Sequence, residues 1–486
     1  MSRPHRRGVD GHASAEPAAP HGGRRHRGRS GVTALDVVDP ATGAVFASAP
    51  VYTAAELDAT IAAATAAAPG WAALPLDERR ARLRACGAAL AGAAEEVAAL
   101  LSREQGKPLA AARAEVGLSS GWFGHTADLP GTDEEVDAGP GASIMIGRVP
   151  HGVVAAIAPS NFPIILAVCK VAPALLAGNA VVLKPSPETP LSTLRTGELL
   201  APHLPPGVLS VVSGDNALGK ALTTHPGIDM VSFTGSVGTG QAIAEQAAGR
   251  FLPVVLELGG NDAAVVLPGA DVTALAPALF AGAMVNSGQF CAAIKRIYVS
   301  GAQAGELVTA LAKLASEAVV GVGSDPATEY GPLVSRAQLD RISALVDEAA
   351  AAGARVVTGG ARLPRPGWFY PPTIVTDLPP GTDLELEEQF GPVIPVIAYD
   401  DLDEAIARAN GTRYGLGASL WGDAERARAL AARLTCGTVW INTHGALRHD
   451  TPFGGVRSSG IGVEYGWWGL LEYTRIKVVH ELHPGG

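Results

Sequence analysis

The order of apolar and polar positions divides the first third of the chain into a hairpin and a group of helices. Residues 32–48 alternate apolar with polar positions around a Pro-Ala-Thr-Gly turn, which predicts a β-hairpin. Apolar residues recur at helical spacing over 54–68, 77–104 and 108–126, so we predict three helices there. An acidic, turn-rich connection follows at 130–141.

The pattern changes at residue 152, where short apolar runs begin to alternate with helical stretches of about 10–15 residues. This alternation is typical of a parallel sheet that is covered by helices on both faces, an architecture that often binds nucleotides. The predicted strands are Val153–Ala158, Ala180–Lys184, Leu209–Ser213, Met230–Thr234, Val254–Glu257 and Ala263–Leu267.

A second α/β series extends over 271–442 and predicts a second lobe. Its helices are expected at 302–319 and 335–352, and its strands near Arg355, Thr373, Val393, Leu416 and Thr438. The terminal segment 473–482 alternates like a strand but has no evident partner in either lobe. We therefore expect it to pair with 143–149 and to extend toward a neighbouring subunit.

Composition agrees with an ordinary globular protein of two large lobes: 486 residues, 47% apolar and 17% charged. No uncharged apolar stretch reaches the roughly 18 residues that a membrane span needs, so no membrane partner is expected. Four cysteines at irregular spacing fit neither a metal site nor a disulfide framework. They favour free thiols in a cytoplasmic protein without a structural metal.

Charge is distributed unevenly along the chain, whose net charge is −10. Residues 1–30 contain seven arginines and two carboxylates, so this part carries +5 and the remainder −15. Its Gly, Pro, His and Arg content predicts a disordered basic arm over 1–31 rather than a signal peptide. Contact of this arm with nucleic acid is the less favoured interpretation, and the acidic body has no basic face for a polynucleotide.

Two separated residues are the first candidates for chemistry. Cys291 follows a glycine-containing turn, and Glu257 ends a β-branched strand 34 residues upstream, beside Gly259 and Gly260. A thiol with a nearby carboxylate suits a mechanism in which sulfur adds to a carbonyl and the carboxylate later activates water. The alternatives are a buried structural cysteine and a cysteine hydrolase. The hydrolase would require a histidine base, and no histidine lies between 257 and 291.

Other candidates lie where predicted strands end, the edge at which α/β sheets bind ligands. Asn161 is suited to stabilise an oxyanion, although a helix cap beginning near Phe162 is equally favoured. Lys184 suits a ribose or phosphate contact, with a solvated surface lysine as the commoner alternative.

The glycine-rich turn at 233–240, and a weaker one at Gly214 and Gly219, could face a pyrophosphate or be structural. The stretch 387–392 could hold a ribose or be a charged loop.

Taken together, these motifs make the chain resemble the aldehyde dehydrogenase superfamily from about Val32 to His480. The resemblance implies an α/β fold with two Rossmann-type lobes and a small bridging β-sheet for oligomerisation. It implies no metal. The motifs, in order, are PSNFP at 159–163, KPSPETP at 184–190, FTGS at 233–236, ELGG at 257–260, GQFC at 288–291, EEQFGPV at 387–393 and PFGG at 452–455.

The resemblance also implies roles for individual residues. Cys291 is expected to be the nucleophile, Glu257 the general base for deacylation, and Asn161 a partner of the Cys291 backbone N–H in the oxyanion hole. Lys170 and Glu464, which spacing alone leaves without a role, resemble the proton relay behind the base. The implied reaction is oxidation of an aldehyde to a carboxylic acid through a thioester. A non-catalytic binding or structural protein on the same fold is the alternative.

The implied cofactor is NAD or NADP. Lys184 resembles the ribose-binding lysine, Gly235 and Ser236 the turn beside the pyrophosphate, and Glu388 and Phe390 the residues that hold the nicotinamide ribose and ring. The remaining cofactor positions are expected at Pro159, Ser160, Ser186, Gly219 and Leu258.

Three departures from the family pattern bear on specificity. Pro187 occupies a position that is often glutamate in NAD-preferring members, with Glu188 one place later, so NADP remains open. Ser160 replaces a common tryptophan and should leave space beside the crevice. The polar stretch 443–451 contains Arg448, which suggests acidic aldehydes as substrates.

Domain boundaries follow from the same resemblance. Segments 32–129 and 150–258 are expected to form the dinucleotide-binding domain and 259–459 the catalytic domain. Segments 130–149 and 460–486 are expected to bridge subunits of a homodimer or homotetramer.

Overall fold

The computed structural model describes residues 34–131, 134–136 and 142–483. The basic arm predicted at 1–31 lies outside these ranges, as does most of the acidic connection predicted at 130–141.

Strands and helices alternate through most of the described chain. The strands are β1 (Ala34–Asp39), β2 (Ala44–Pro50), β3 (Glu134–Val136), β4 (Ala142–Pro150), β5 (Val153–Ile157), β6 (Ala180–Lys184), β7 (Leu209–Val211), β8 (Met230–Thr234), β9 (Val254–Glu257), β10 (Asp262–Val266), β11 (Ile294–Ser300), β12 (Arg355–Thr358), β13 (Thr373–Thr376), β14 (Val393–Tyr399), β15 (Gly417–Trp421), β16 (Thr438–Ile441), β17 (Gly460–Ile461) and β18 (Thr474–Leu482). The helices are α1 (Ala54–Ala72), α2 (Leu76–Gly92), α3 (Ala94–Gln105), α4 (Leu109–Ala127), α5 (Pro163–Ala177), α6 (Leu191–Leu200), α7 (Asn216–Thr224), α8 (Val237–Ala248), α9 (Val272–Met284), α10 (Gly301–Glu317), α11 (Arg336–Ala351), α12 (Asp383–Leu386), α13 (Leu402–Ala409), α14 (Ala424–Ala431) and α15 (Gly466–Glu472).

The first lobe is built on a six-stranded sheet in the order β17-β9-β8-β5-β6-β7, in which only β17 is antiparallel to its neighbour. The register aligns Ile157 with Lys184 on one side and with Phe233 on the other, and Thr234 with Glu257. The carboxyl ends of β5, β6, β8 and β9 therefore lie at one edge of the sheet. The residues that follow these strands meet there, as expected for a parallel sheet.

The second lobe is built on a seven-stranded sheet in the order β12-β13-β14-β11-β10-β15-β16, which is parallel except for β12. The sequence pattern grouped β10 with the strands of the first sheet, and this grouping is wrong: β10 pairs with β11 and β15. The chain crosses between the lobes at Gly259-Gly260, directly after β9. Apolar runs identify a strand but carry no information about which sheet receives it.

A three-stranded sheet in the order β18-β4-β3 stands apart from both lobes. The predicted pairing is confirmed, with β18 running antiparallel to β4 from Thr474 opposite Pro150 to Leu482 opposite Ala142. Of the segment 460–486, only β18 belongs to this sheet, because β17 pairs with β9 in the first lobe. The hairpin predicted at the start of the chain is confirmed as β1 and β2.

The single helix predicted over 77–104 is wrong, because the chain forms α2 and α3 with a bend of 70° between them. The break falls at Ala93, whose backbone (φ −108°, ψ 16°) leaves the helical region just after Gly92. Glycine weakens the end of α2, and Glu95 and Glu96 favour a new helix N-terminus at α3. Among the described helices none is by itself long and apolar enough to cross a membrane; only the bent pair α2 and α3 meets that test when joined.

Candidate active site

A cavity of about 540 Å³ opens at the carboxyl edge of the first-lobe sheet and is closed on the other side by residues of the second lobe. Cys291 and Asn161 line it, whereas Glu257, Lys170 and Glu464 are not among the described lining residues. All ten positions predicted for cofactor contact line it: Pro159, Ser160, Lys184, Ser186, Gly219, Gly235, Ser236, Leu258, Glu388 and Phe390.

Cys291 is presented by a short loop, residues 286–291, which we call the cysteine loop. Asn286, Ser287 and Gly288 adopt left-handed backbone conformations in succession, with φ of 52°, 57° and 73°. A Cβ at Gly288 would lie 2.2 Å from the carbonyl oxygen of Gly391, so only glycine fits there. Backbone strain of this kind persists where surrounding contacts impose it, and it is concentrated at functional sites.

Lys295 supports the cysteine loop from within the second lobe. Its side chain is buried, and its ammonium donates hydrogen bonds of 2.9 Å to the carbonyl oxygens of both Gly288 and Phe290. Burial lowers the pKa of Lys295, against the opposing charges of Glu388 and Asp262. A buried cation is thereby fixed close to the backbone on both sides of Gln289.

The thiol of Cys291 is partly exposed. Burial raises its pKa above the ordinary value of 9.0, the charges of Glu388 and Glu257 add to this, and Lys295 opposes it. Loss of the proton from this sulfur is therefore harder than from an exposed cysteine. The sulfur has to lose its proton before it attacks a carbonyl carbon, because the thiolate is the nucleophile.

Asn161 is buried and linked to the cysteine loop in two ways. Its side-chain amide donates a 3.0 Å hydrogen bond to the carbonyl oxygen of Gln289, and its own backbone carbonyl accepts one of 3.0 Å from the amide of Asn286. Helix α5 begins at Pro163, and Glu115 rather than Asn161 accepts the hydrogen bonds of its first-turn N–H groups, so the cap alternative for Asn161 is not supported. One N–H of the Asn161 amide remains for a ligand beside Cys291.

Glu257 ends β9 and is 4% exposed. Neither of its carboxylate oxygens has a hydrogen-bond partner among the described residues. Burial raises the pKa of Glu257 well above 4.5, the charge of Glu464 raises it further, and Lys170 opposes the shift. A carboxylate with a raised pKa accepts a proton from water more readily than an exposed one, which is the property required of a general base.

Two glycines allow the two lobes to approach each other behind Glu257. A Cβ at Gly259 would lie 2.2 Å from Oε2 of Glu388, and one at Gly260 would lie 2.8 Å from the carbonyl oxygen of Cys291. The backbone N–H of Gly260 donates to Glu388 over 3.2 Å. Burial raises the pKa of Glu388 to about 7, against the opposing effect of Lys295.

The first-lobe end of the cavity carries positive charge and a helix N-terminus. Lys184 is 3% exposed, so it is not the solvated surface lysine of the alternative interpretation, and burial lowers its pKa to about 8, against the opposing charges of Asp215 and Glu188. Ser236 caps α8 by accepting a hydrogen bond from the backbone N–H of Thr239. A helix N-terminus facing a cavity favours a phosphate group.

Cys291 also borders an apolar and aromatic cluster. It packs against buried residues that include Tyr465, and Trp122 and Leu447 pack against the same cluster. The rings of Trp122 and Tyr465 meet edge to face with centroids 4.9 Å apart. Arg448, which was expected to select acidic aldehydes, is exposed, and Asp450 binds its guanidinium through hydrogen bonds of 2.8 and 2.6 Å. This neutralised arginine gives that expectation no support.

Several residues of the site were not identified from the sequence. Lys220 and Arg341 add positive charge to the lining of the cavity, and Lys295 supports the cysteine loop. Lys295 and Arg296 are consecutive basic residues inside the otherwise apolar strand β11, and such a pair is a signal of a buried polar function. Within the described ranges no group of three or more His, Cys, Asp or Glu side chains is arranged to hold a metal ion.

These features fit a nicotinamide dinucleotide. The N-terminus of α8 and the basic side chains suit its phosphates, and Glu388 is a hydrogen-bond acceptor for ribose hydroxyls. The cavity connects these groups to Cys291, so a bound dinucleotide would reach the sulfur.

Comparison with known proteins agrees with this geometry. The model of the aldehyde dehydrogenase family matches residues 27–479. Geranial dehydrogenase of Castellaniella defragrans is 42% identical over 354 residues, 72% of this chain and 74% of that protein. The 3,6-anhydro-alpha-L-galactose dehydrogenase of Streptomyces coelicolor is 37% identical over 462 residues, 92% and 93% of the two chains.

Solved structures give the same result. Lactaldehyde dehydrogenase of Escherichia coli matches with a TM-score of 0.90 and 35% identity, covering 93% of this chain and 96% of that one. A 3,6-anhydro-L-galactose dehydrogenase in complex with NADP matches with a TM-score of 0.89 and 35% identity, covering 93% and 97%. The chain therefore belongs to the aldehyde dehydrogenase family and is an NAD(P)-dependent oxidoreductase that oxidises aldehydes.

Proposed function

We propose that Cys291 is the nucleophile of this enzyme, that Asn161 and the Cys291 backbone N–H form its oxyanion hole, and that Glu257 is its general base. The observation that carries this proposal is that Cys291 and Asn161 line the same cavity as all ten predicted cofactor positions. The hydrogen bond from the Asn161 amide to the carbonyl of Gln289 supports it further, because it ties the amide to the loop that carries Cys291.

The proposed reaction begins when the Cys291 sulfur, as thiolate, adds to the carbonyl carbon of the aldehyde. The carbonyl oxygen becomes negatively charged and is stabilised by Asn161, a contribution of roughly 3–4 kcal/mol for one such donor. A nicotinamide held by Glu388 and Phe390 would supply the hydride acceptor, and loss of the hydride leaves a thioester on Cys291. Glu257 then removes a proton from water, the hydroxide attacks the thioester, and the C–S bond breaks to release the carboxylic acid and restore the Cys291 thiolate.

The proton taken up by Glu257 needs a route away from a buried site. We propose that the Lys170–Glu464 ion pair is this route. Both side chains are almost completely buried, and both charges act on the carboxyl group of Glu257. A buried pair of opposite charges that is hydrogen-bonded to itself exchanges protons more easily than an isolated buried carboxylate.

For the cofactor we propose that Lys184 contacts the adenosine ribose, that Gly235 and Ser236 receive the pyrophosphate, and that Glu388 and Phe390 hold the nicotinamide ribose and ring. The positions of these residues along one cavity support these roles. The choice between NAD and NADP depends on the 2′-phosphate. Glu188, an exposed carboxylate bound to Ser186, lines the cavity near Lys184 and would repel that phosphate.

For the substrate we propose an apolar aldehyde. Trp122, Leu447 and Cys291 pack against the same apolar cluster, which contains Tyr465. None of Trp122, Leu447 and Tyr465 is among the described residues that line the cofactor cavity. The neutralisation of Arg448 by Asp450 removes the cation that would have favoured an acidic substrate. We further propose a cytoplasmic location, which four unpaired cysteines support, and a homodimer or homotetramer assembled through the three-stranded sheet.

An aldehyde panel read by absorbance of the reduced nicotinamide tests these proposals. The panel pairs an unbranched apolar aldehyde, an aromatic one and a carboxylated one of similar length with NAD and NADP in turn. We expect kcat/KM to be highest for the apolar or aromatic aldehyde and the Cys291→Ala variant to be inactive with all of them. Turnover in Cys291→Ala, or a preference for the carboxylated aldehyde that Arg448→Ala abolishes, would contradict the proposed site or substrate.

A further inference from the structure

Lys107 is a buried cation in the turn between α3 and α4, far from Cys291 in sequence. The residue is 2% exposed, and its ammonium makes two hydrogen bonds, 2.5 Å to a carboxylate oxygen of Glu115 and 2.8 Å to the backbone carbonyl oxygen of Asn161. The same ammonium stands 4.0 Å from the centroid of the Phe162 ring. Two of these three contacts, with Asn161 and Phe162, are made to the segment that carries the oxyanion donor.

Glu115 on α4 completes the connection. Its first oxygen, Oε1, accepts hydrogen bonds of 3.0 and 3.3 Å from the backbone N–H groups of Ile164 and Ile165, in the first turn of α5. Its second oxygen, Oε2, binds Lys107. A single buried carboxylate therefore replaces the missing cap of α5 and holds the cation against Asn161.

Asn161 is consequently fixed from two sides. Lys107 binds its backbone carbonyl from the side of the helices, and the amide of Asn286 binds the same oxygen from the cysteine loop. Its side-chain amide is oriented by the carbonyl of Gln289. Without Lys107, the carbonyl oxygen of Asn161 would keep only its hydrogen bond from Asn286. The peptide group of Asn161 could then rotate about that single hydrogen bond.

We propose that Lys107 and Glu115 are positioning residues for the Asn161 amide and that their ion pair sets the rate at which the aldehyde is converted to the thioester on Cys291. This inference rests on the proposed role of Asn161 in the oxyanion hole. An oxyanion donor has to stay within about 0.5 Å of its productive position, roughly 3 Å from the developing negative charge, and a displacement of about 1 Å can cost about 100-fold in rate. The pair therefore acts through the position of Asn161, and neither residue lines the cavity among the described contacts.

The chain offers a matched control for Glu115. Glu104, on α3, is also completely buried, and it also accepts hydrogen bonds from two consecutive backbone N–H groups at the start of a helix, those of Leu191 (2.8 Å) and Ser192 (2.9 Å) in α6. Its partners belong to α6 and do not include Asn161. Glu104→Gln and Glu115→Gln thus each replace a buried carboxylate at a helix N-terminus, and only Glu115 is bonded to Lys107 and through it to the carbonyl of Asn161.

The first test compares the burst rate constant for reduction of the nicotinamide in these two variants. We expect Glu115→Gln to slow the burst by about 10- to 100-fold. We expect Glu104→Gln to leave the burst within about twofold of the parent, with the Kd of the cofactor unchanged in both. Equal slowing in the two variants would overturn the inference, because it would show a general loss of packing rather than a displaced donor.

The second test is a double-mutant cycle with Asn161. Lys107→Met/Glu115→Gln removes both charges together, so no buried charge is left without a partner. It is combined with Asn161→Ala, and thermal unfolding checks that each variant is folded. If the pair acts through Asn161, the paired substitution slows the burst in the parent but by less than about twofold in the Asn161→Ala background.

Each outcome of the cycle has one meaning. The same slowing in both backgrounds, or no slowing in the parent, overturns the inference while leaving Asn161 as the donor. An unchanged burst in Asn161→Ala alone overturns the proposed role of Asn161 instead. If the paired variant does not fold, Glu115→Asp, which keeps both charges and shortens the carboxylate by one methylene, takes its place in the cycle with the same expected and contradicting results.

Discussion

Lys170 and Glu464 form an ion pair whose side chains are 0% and 2% exposed, and the two charges act in opposite directions on the carboxyl group of Glu257. Lys170 lies on α5 and Glu464 precedes α15, where its backbone exchanges hydrogen bonds of 2.9 and 2.7 Å with that of Phe453. The proposed base of the enzyme is therefore tuned by two residues that are 294 positions apart. Removal of the Lys170 charge and removal of the Glu464 charge should therefore shift the pKa of Glu257 in opposite directions.

The first prediction concerns the pH dependence of thioester hydrolysis. Because the pKa of Glu257 is raised, its carboxylate form appears only as pH rises through that pKa, and deacylation should rise with it. Lys170→Met removes the charge that lowers this pKa and should move the profile to higher pH. Glu464→Gln removes a charge that raises it and should move the profile to lower pH. Steady-state turnover measured with a substrate whose deacylation limits the rate provides the profile.

The control for these two variants is the burst of reduced nicotinamide, which precedes deacylation and should keep the pH dependence of the parent. Shifts of the deacylation profile in the same direction in both variants would show that the ion pair does not tune Glu257 by charge.

The second prediction separates the two halves of the reaction. Glu257→Gln keeps the size of the side chain but removes the base, so the thioester should form and then persist. We expect a burst of about one reduced nicotinamide per active site followed by steady turnover at least about 100-fold slower, the smaller end of what a general base contributes. Stopped-flow absorbance measures both phases. Loss of the burst as well would mean that Glu257 acts before deacylation, for instance by deprotonating Cys291.

The positions of the candidate site residues could be predicted because they follow strands of one parallel sheet. Asn161, Lys184, Gly235 and Glu257 come at or just after the ends of β5, β6, β8 and β9, and the register brings those ends to one edge. Local sequence contains the strand and the turn, and the geometry of a parallel sheet supplies the rest.

Contacts that depend on long-range packing could not be predicted in the same way. Lys107 lies 54 positions from Asn161, and no local pattern around its turn indicates that its ammonium reaches the oxyanion donor. Strand β11 was not predicted, because Lys295 and Arg296 interrupt its apolar pattern, although both are 1% exposed. A buried cation is recognisable only when its partners are known, and here these are backbone carbonyls and residues of distant elements.

The third prediction follows from the contacts of Lys295 with the cysteine loop. Its charge lowers the pKa of Cys291 against the effect of burial, and its two hydrogen bonds hold the carbonyls of Gly288 and Phe290. Lys295→Met should therefore raise the pKa of Cys291 further and reduce thiolate at any given pH. The rate of alkylation by iodoacetamide should fall several-fold at pH 8, and its pH profile should move upward.

Lys313→Met is the control for this experiment. Lys313 is exposed and pairs only at 4.0 Å with Glu317 on the surface of α10, so its removal should leave the alkylation profile unchanged. A profile for Lys295→Met that matched the parent would show that Lys295 supports the loop without acting on the thiol.

The fourth prediction concerns the apolar face of the three-stranded sheet. Ile476, Val478 and Leu482 alternate along β18, so they share one face of the sheet, and they are 62%, 57% and 73% exposed. Such a row of exposed apolar side chains favours association with a second copy of the chain. Association would bury apolar surface that is otherwise in contact with water. Ile476→Asp/Val478→Asp should lower the molar mass measured by light scattering toward that of the 49.4 kDa chain. Lys477→Glu is the control, because it changes a neighbouring exposed residue on the other face and should leave the molar mass unchanged. An unaltered molar mass in the double variant Ile476→Asp/Val478→Asp would place the subunit contact elsewhere.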